Sequence, residues 1–100
     1  MARTQPLDAA RCTALAARFG TPLFVYDAEV LAASFGELRE ALPPAVEIFY
    51  SLKANPNVSV VGVLAAAGAR AEVCSRAELR TALLAGVDPA DIIFLGPSKS

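Results

Sequence analysis

Three short apolar runs, residues 46–52, 70–74 and 92–95, begin 24 and 22 residues apart, and a helical pattern fills each gap. That repeat constrains the fold more than any other feature. A strand, a helix and a second strand of about this length make a crossover unit with parallel strands, and such crossovers are right-handed. The spacing is tight for such units but workable. From residue 46 onward the order reads β-α-β-α-β, an α/β arrangement built on a parallel sheet. At this level an open doubly wound sheet and a barrel are both available.

The helices carry their own punctuation. Residues 58–67 and 76–85 read as helices closed by Gly68 and Gly86, and Asp88-Pro89-Ala90-Asp91 reads as a turn into the last strand. Upstream, residues 8–19 form a helix pattern that Asp8 can cap and Gly20 can close. Residues 23–26, after Thr21-Pro22, are expected to be a short strand. Asp27 then caps a helix over 28–41, whose apolar Val30, Leu31, Phe35 and Leu38 recur at helical spacing, and Pro43-Pro44 ends it.

Composition narrows the function classes. Hydrophobic residues make up 55% of the chain and mean hydropathy is +0.47, which suits parallel strands and Ala-rich helices buried on more than one side. The net charge is −1 and there is no basic run, so neither a nucleic-acid nor a membrane-surface partner is expected. There is no histidine, and Cys12 and Cys74 have no ligand-like spacing, so no metal site is expected here. The first residues lack the apolar core of a signal peptide, and Asn55, Pro56, Asn57 and Gly62 break the long uncharged stretch 54–69. A cytoplasmic protein with reduced cysteines is the expectation. No strand is followed by Gly-x-Gly-x-x-Gly or a Walker-type loop.

Chemistry concentrates on Lys53. It ends the apolar run Ile48-Phe49-Tyr50-Ser51-Leu52 and precedes Ala54-Asn55-Pro56-Asn57, residues that stop a strand. A lysine at that junction can stand at the mouth of a parallel barrel, where barrel enzymes keep their active sites. Its amine is a candidate for a Schiff base with a carbonyl cofactor. Strand alternation places Phe49, Ser51 and Lys53 on one face. Ser51, one layer beneath the lysine, leaves room for a planar ring.

In the next strand Glu72 and Cys74 share a face opposite to Val73. A carboxylate inside such a strand is unusual, and Lys53 is the expected charged partner; a solvated strand-end carboxylate is the other reading. Ser75-Arg76-Ala77-Glu78 matches a capping box, which explains Ser75 and Glu78 without any catalytic role. Cys74 reads as a small buried hydrophobe rather than a nucleophile. Gly96-Pro97-Ser98-Lys99-Ser100 offers a weak phosphate-loop pattern and reads as a plain loop after a strand.

These segments, in this order, resemble the pyridoxal-phosphate-dependent decarboxylases of the alanine-racemase-like fold, the ornithine, arginine and diaminopimelate enzymes among them. Gly20-Thr21-Pro22-Leu23-Phe24-Val25-Tyr26-Asp27 resembles their opening segment, and Tyr50-Ser51-Leu52-Lys53-Ala54-Asn55 is similar to their Tyr-Ala-Val-Lys-Ala-Asn motif. The stretch from Glu72 to Val87 resembles their second strand and helix, and 92–99 their third strand and its loop. The likeness covers nearly everything from Gly20 to Ser100. Alanine racemases typically continue the lysine motif with Ala-Asn-Ala-Tyr-Gly-His-Gly, whereas this chain has Ala54-Asn55-Pro56-Asn57, which favours the decarboxylase branch.

The resemblance implies the N-terminal part of a (β/α)8 TIM-type barrel that binds pyridoxal 5'-phosphate. Residues 28–100 would be its first βα units, and residues 1–27 a helix and strand contributing to a second, β-rich domain. It implies a carboxy-lyase acting on a small-molecule amino-acid substrate, working as a homodimer at full length, with Lys53 forming the internal aldimine. Ser51 takes the place of a small residue, usually Ala, under the cofactor ring. Glu72 falls where the family commonly has an Asp near the cofactor. A non-catalytic pyridoxal-phosphate carrier, an amino-acid racemase of the same fold, and an open α/β binding domain without lysine chemistry are the alternatives. The chain stops directly after its third strand, so it is expected to be an N-terminal piece, inactive alone.

Overall fold

A computed structural model describes residues 7–96. In chain order the elements are α1 (Ala9–Phe19), α2 (Ala28–Ala41), β1 (Phe49–Ser51), α3 (Val58–Ala66), β2 (Arg70–Val73), α4 (Arg76–Leu84) and β3 (Ile92–Phe94), with a 3-10 turn at Pro89–Asp91 leading into β3. The three strands form one parallel sheet in the order β1-β2-β3. The repeat seen in the sequence is therefore two consecutive crossovers, with α3 and α4 as the connecting helices.

Side-chain caps explain why the helices start where they do. Asp8 accepts a hydrogen bond from the Arg11 amide at 2.8 Å, and Asp27 accepts one from the Glu29 amide at 2.9 Å. Asn57 accepts from the amides of Ser59 and Val60 at 2.9 and 3.3 Å. Each cap satisfies donors that the first turn of a helix leaves unpaired. At the far end of α2, Arg39 donates to the carbonyls of Val46 and Pro43, both at 2.7 Å, and ties the Pro43-Pro44 loop back to the helix. Between α3 and β2 the chain turns at Gly68, whose φ of +114° disfavours a side chain.

The strands are shorter than the apolar runs that announce them. A strand exists only where a neighbour pairs with it, so ladder geometry trims 46–52 to three residues. Single bonds extend the pairing at its ends: the Arg70 amide donates to Ile48, the Leu52 amide to Glu72 and the Leu95 amide to Val73. Residues 23–26 correct the expectation of a strand. They form no ladder, and Leu23, Phe24, Val25 and Tyr26 are all exposed. Their composition suits a strand, but no described strand lies beside them to pair with.

The core occupies one side of the sheet. Leu52 and Val73 are wholly buried and pack with Val61, Ala71, Ala82 and Val87, joined by Tyr50, Ile92 and Phe94. A second cluster of Val60, Leu64 and Ala69 meets Leu31 and Phe35 of α2. Alternation along the strands sends Phe49, Ser51, Glu72, Cys74, Ile93 and Leu95 to the other side, away from these clusters. At the N-terminal end of the sheet, Arg70 pairs with Glu47 at 3.1 Å and Asp91 at 3.5 Å. Those groups are substantially exposed, so the pairs contribute little to stability, about 0–1 kcal/mol each. None of the described helices is long and apolar enough to cross a membrane.

Candidate active site at the C-terminal end of the strands

Lys53 lies in the turn that follows β1, and its side chain is exposed. The turn is built by its neighbours. Leu52 anchors one side in the core, and the Ala54 amide donates to the Ser51 carbonyl at 3.2 Å. The Tyr50 hydroxyl donates to the Asn55 carbonyl at 2.9 Å and draws the outgoing chain back onto the strand. Asn55 then accepts from the Asn57 amide at 3.1 Å, and Asn57 caps α3. Each polar residue of Tyr50-Ser51-Leu52-Lys53-Ala54-Asn55-Pro56-Asn57 thus shapes or flanks the lysine turn.

Tyr50 is the contributor that sequence reasoning gave no role. Its signal was a phenol in an otherwise apolar strand, because a half-buried Tyr hydroxyl needs a partner. Burial raises the Tyr50 pKa above its ordinary value, and Tyr26 adds to it.

Register brings Ser51 and Glu72 directly opposite each other. The Ser51 hydroxyl donates to Glu72 Oε1 at 3.1 Å, and the Cys74 thiol reaches the same oxygen at 3.6 Å. The expected ion pair between Glu72 and Lys53 is not what holds the carboxylate. Ser51 stands closer along the ladder, while Lys53 has already left the strand for the turn. Ser51, Glu72 and Cys74 therefore form a polar row on the open side of the sheet, with Lys53 at its edge.

Cys74 senses this row. Its thiol pKa is raised by desolvation, then by the hydrogen bond to Glu72 and the charges of Glu72 and Glu78, while Lys53 pulls it down. A thiol so placed is favoured in its protonated form, but it is partly exposed and bonded to a carboxylate rather than the small buried hydrophobe expected.

Ser75 and Glu78 serve as a cap, with one difference from the expected box. Ser75 accepts from the Glu78 amide at 3.1 Å, but the Glu78 carboxylate accepts from the Cys74 amide at 2.9 Å instead of that of Ser75. The bond ties α4 to the end of β2 and fixes the backbone under Glu72 and Cys74. Gly96 is described, but residues 97–100 of the loop noted above lie outside the described residues.

The comparisons with known proteins converge on one family. Residues 29–100 match the sequence model of the pyridoxal-dependent decarboxylases, specifically their pyridoxal binding domain. A diaminopimelate decarboxylase from Deinococcus radiodurans is 46% identical over 85 residues, which is 85% of this chain and 22% of that protein. An L-glutamyl-[BtrI acyl-carrier protein] decarboxylase from Niallia circulans is 41% identical over 93% of this chain and 22% of its own length. Among solved structures, diaminopimelate decarboxylase from Helicobacter pylori, complexed with L-lysine, superposes with a TM-score of 0.79 at 33% identity, covering 89% of this chain and 23% of that one. The chain spans roughly a fifth of the length of these relatives.

Proposed function

The chain belongs to the pyridoxal-dependent decarboxylase family, and from that premise we propose that it is the cofactor-bearing start of an amino-acid decarboxylase of the diaminopimelate/ornithine type. The observation that carries this reading is the placement of Lys53. Its amine is exposed in a turn at the C-terminal end of a parallel strand, where α/β sheets and barrels hold their ligands.

The residues fit the aldehyde end of pyridoxal phosphate. A primary amine is the group that bonds a carbonyl carbon, and Lys53 offers one that no ion pair with Glu72 engages. Ser51 beside it is small, and strand alternation puts it with Glu72 and Cys74 on the side opposite the buried clusters. Pyridoxal phosphate, when bound, supplies an electron sink for the charge left on Cα as CO2 departs. Lys53 would hold the cofactor and, once displaced by the substrate amine, carry a proton on Nζ for return to Cα. The turn bonds from Tyr50 and Asn55 would hold the backbone that carries Lys53 in one place through both tasks. Glu72 would place a fixed negative charge beside the site.

Residues 28–100 would form the first βα units of an eight-stranded barrel. Residues 1–27 would join a second, β-rich domain. The exposed apolar segment Leu23-Phe24-Val25-Tyr26 supports this, because it has the composition of a strand and lacks a neighbour among the described residues. The substrate class would be a free amino acid, and the working form a cytoplasmic homodimer. The identity to diaminopimelate decarboxylases, one of them solved with L-lysine, supports an amino-acid ligand.

The test uses the full-length protein carrying this segment. Lys53→Ala should abolish both the lysine-bound cofactor absorbance and CO2 release while the protein stays folded. An intact chromophore in that variant would overturn the assignment.

A further inference from the structure

Ser51 and Glu72 were both placed near the cofactor by resemblance, yet the structure shows them bonded to each other. The Ser51 hydroxyl donates to Glu72 Oε1 at 3.1 Å, straight across the β1–β2 register. The same oxygen takes the Cys74 thiol at 3.6 Å. A glutamate side chain has three rotatable bonds, and ordering such a chain costs entropy. Two donors on one oxygen remove most of that freedom and leave Oε2 as the oxygen to face a neighbour. A serine whose hydroxyl is committed to a carboxylate is not a free contact for a ring.

We propose that Ser51 is a positioning residue, whose hydroxyl holds the Glu72 carboxylate at a fixed place beside Lys53 and acts on the cofactor only through it. This rests on the reading of Lys53 given above. Glu72 projects from the middle of β2, and Lys53 follows β1 by two residues past Ser51. Both charges act on Cys74, which puts the three groups in one electrostatic neighbourhood. Glu78 of α4 is bonded to the Cys74 amide and acts on the thiol, and Arg70, two residues back on β2, is engaged by Glu47 and Asp91. β3 contributes apolar Ile93 opposite Glu72. Glu72 is the carboxylate that the row Ser51-Glu72-Cys74 holds, and on this proposal it is the one that a cation formed at Lys53 meets.

A carboxylate held beside the positively charged nitrogen of the lysine–cofactor linkage favours its protonated form. Losing that charge should lower the pH midpoint of the linkage absorbance, by about one unit for a partly screened pair.

The experiment is a spectrophotometric pH titration of the full-length holoprotein in four forms: parent, Ser51→Ala, Glu72→Gln and the double variant. Thermal melts of the same proteins without cofactor establish that each is folded. The expected result is a fall in midpoint for Glu72→Gln, a smaller fall for Ser51→Ala, and no further fall when Ser51→Ala is added to Glu72→Gln. Ser51→Thr, which keeps the hydroxyl, should restore the parent midpoint. Equal shifts from Ser51→Ala in both backgrounds would mean that serine acts on the cofactor directly, and the proposal would be wrong. No shift from Ser51→Ala in the parent background would also overturn it. Absence of any lysine-linked absorbance in the folded parent would instead overturn the cofactor reading, and this inference with it.

Discussion

The two sides of the three-stranded sheet are made by the same short strands, yet they obey different rules. Toward the helices, Leu52, Ala71 and Val73 are buried to 1% exposure or less. Away from them, the same strands present Ser51, Glu72 and Cys74, bonded to one another, and leave Ile93 and Leu95 substantially exposed. Packing explains the first side, the Tyr50 hydroxyl apart. On the second it explains few, because an apolar row would serve folding better than a carboxylate shared by a hydroxyl and a thiol. What the difference teaches is a division of labour. One side sets the fold, and the other holds a polar row that, on the reading proposed above, serves Lys53.

Substitutions can break or sharpen that contrast. The largest effect on stability belongs to the covered side. Leu52→Ala should cost the full-length protein about 2–5 kcal/mol in urea unfolding, since Leu52 is wholly buried. A cost under about 1 kcal/mol would mean that the covered side is looser than its burial indicates. Tyr50→Phe comes next, because it belongs to both stories. It should cost about 1 kcal/mol by leaving the part-buried Asn55 carbonyl without its donor, and it should slow cofactor attachment by loosening the lysine turn. Unchanged attachment kinetics would confine Tyr50 to the core.

The smallest expected effect is on the open side and is chemical rather than thermodynamic. Desolvation and Glu72 hold the Cys74 thiol above its ordinary pKa, so alkylation at neutral pH should be slower than for an unperturbed thiol. Glu72→Gln removes the negative charge and leaves only a neutral, weaker acceptor. It should lower that pKa and speed alkylation at a given pH, read from the pH dependence of the rate. An unaltered pH profile would separate Cys74 from the polar row.

Much of this was legible in the residues, and the physics says which part. Helix starts were readable where Asp8, Asp27 and Ser75 announce themselves as caps, and each bonds an amide such a cap should; Asn57, read only as a strand stop, proves to cap α3 as well. The parallel sense of the sheet followed from the spacing of the apolar runs, but its order did not, since that spacing left an open doubly wound sheet and a barrel both available. Strand limits were not readable, because a ladder depends on its neighbour, and the same dependence left residues 23–26 unpaired despite their composition. At the site, Lys53 stood out as a charge closing an apolar run. The partner of Glu72 did not, since opposite charge suggested Lys53 whereas register delivered Ser51. The Tyr50–Asn55 bond depends on a turn that no periodicity encodes.

The central claim is that the open side exists to serve Lys53. Its most direct test is borohydride reduction of the full-length protein loaded with pyridoxal phosphate, followed by mapping of the modified peptide. The account predicts a single reduced adduct on Lys53. An adduct on another lysine, or none in a protein shown to be folded, would contradict it.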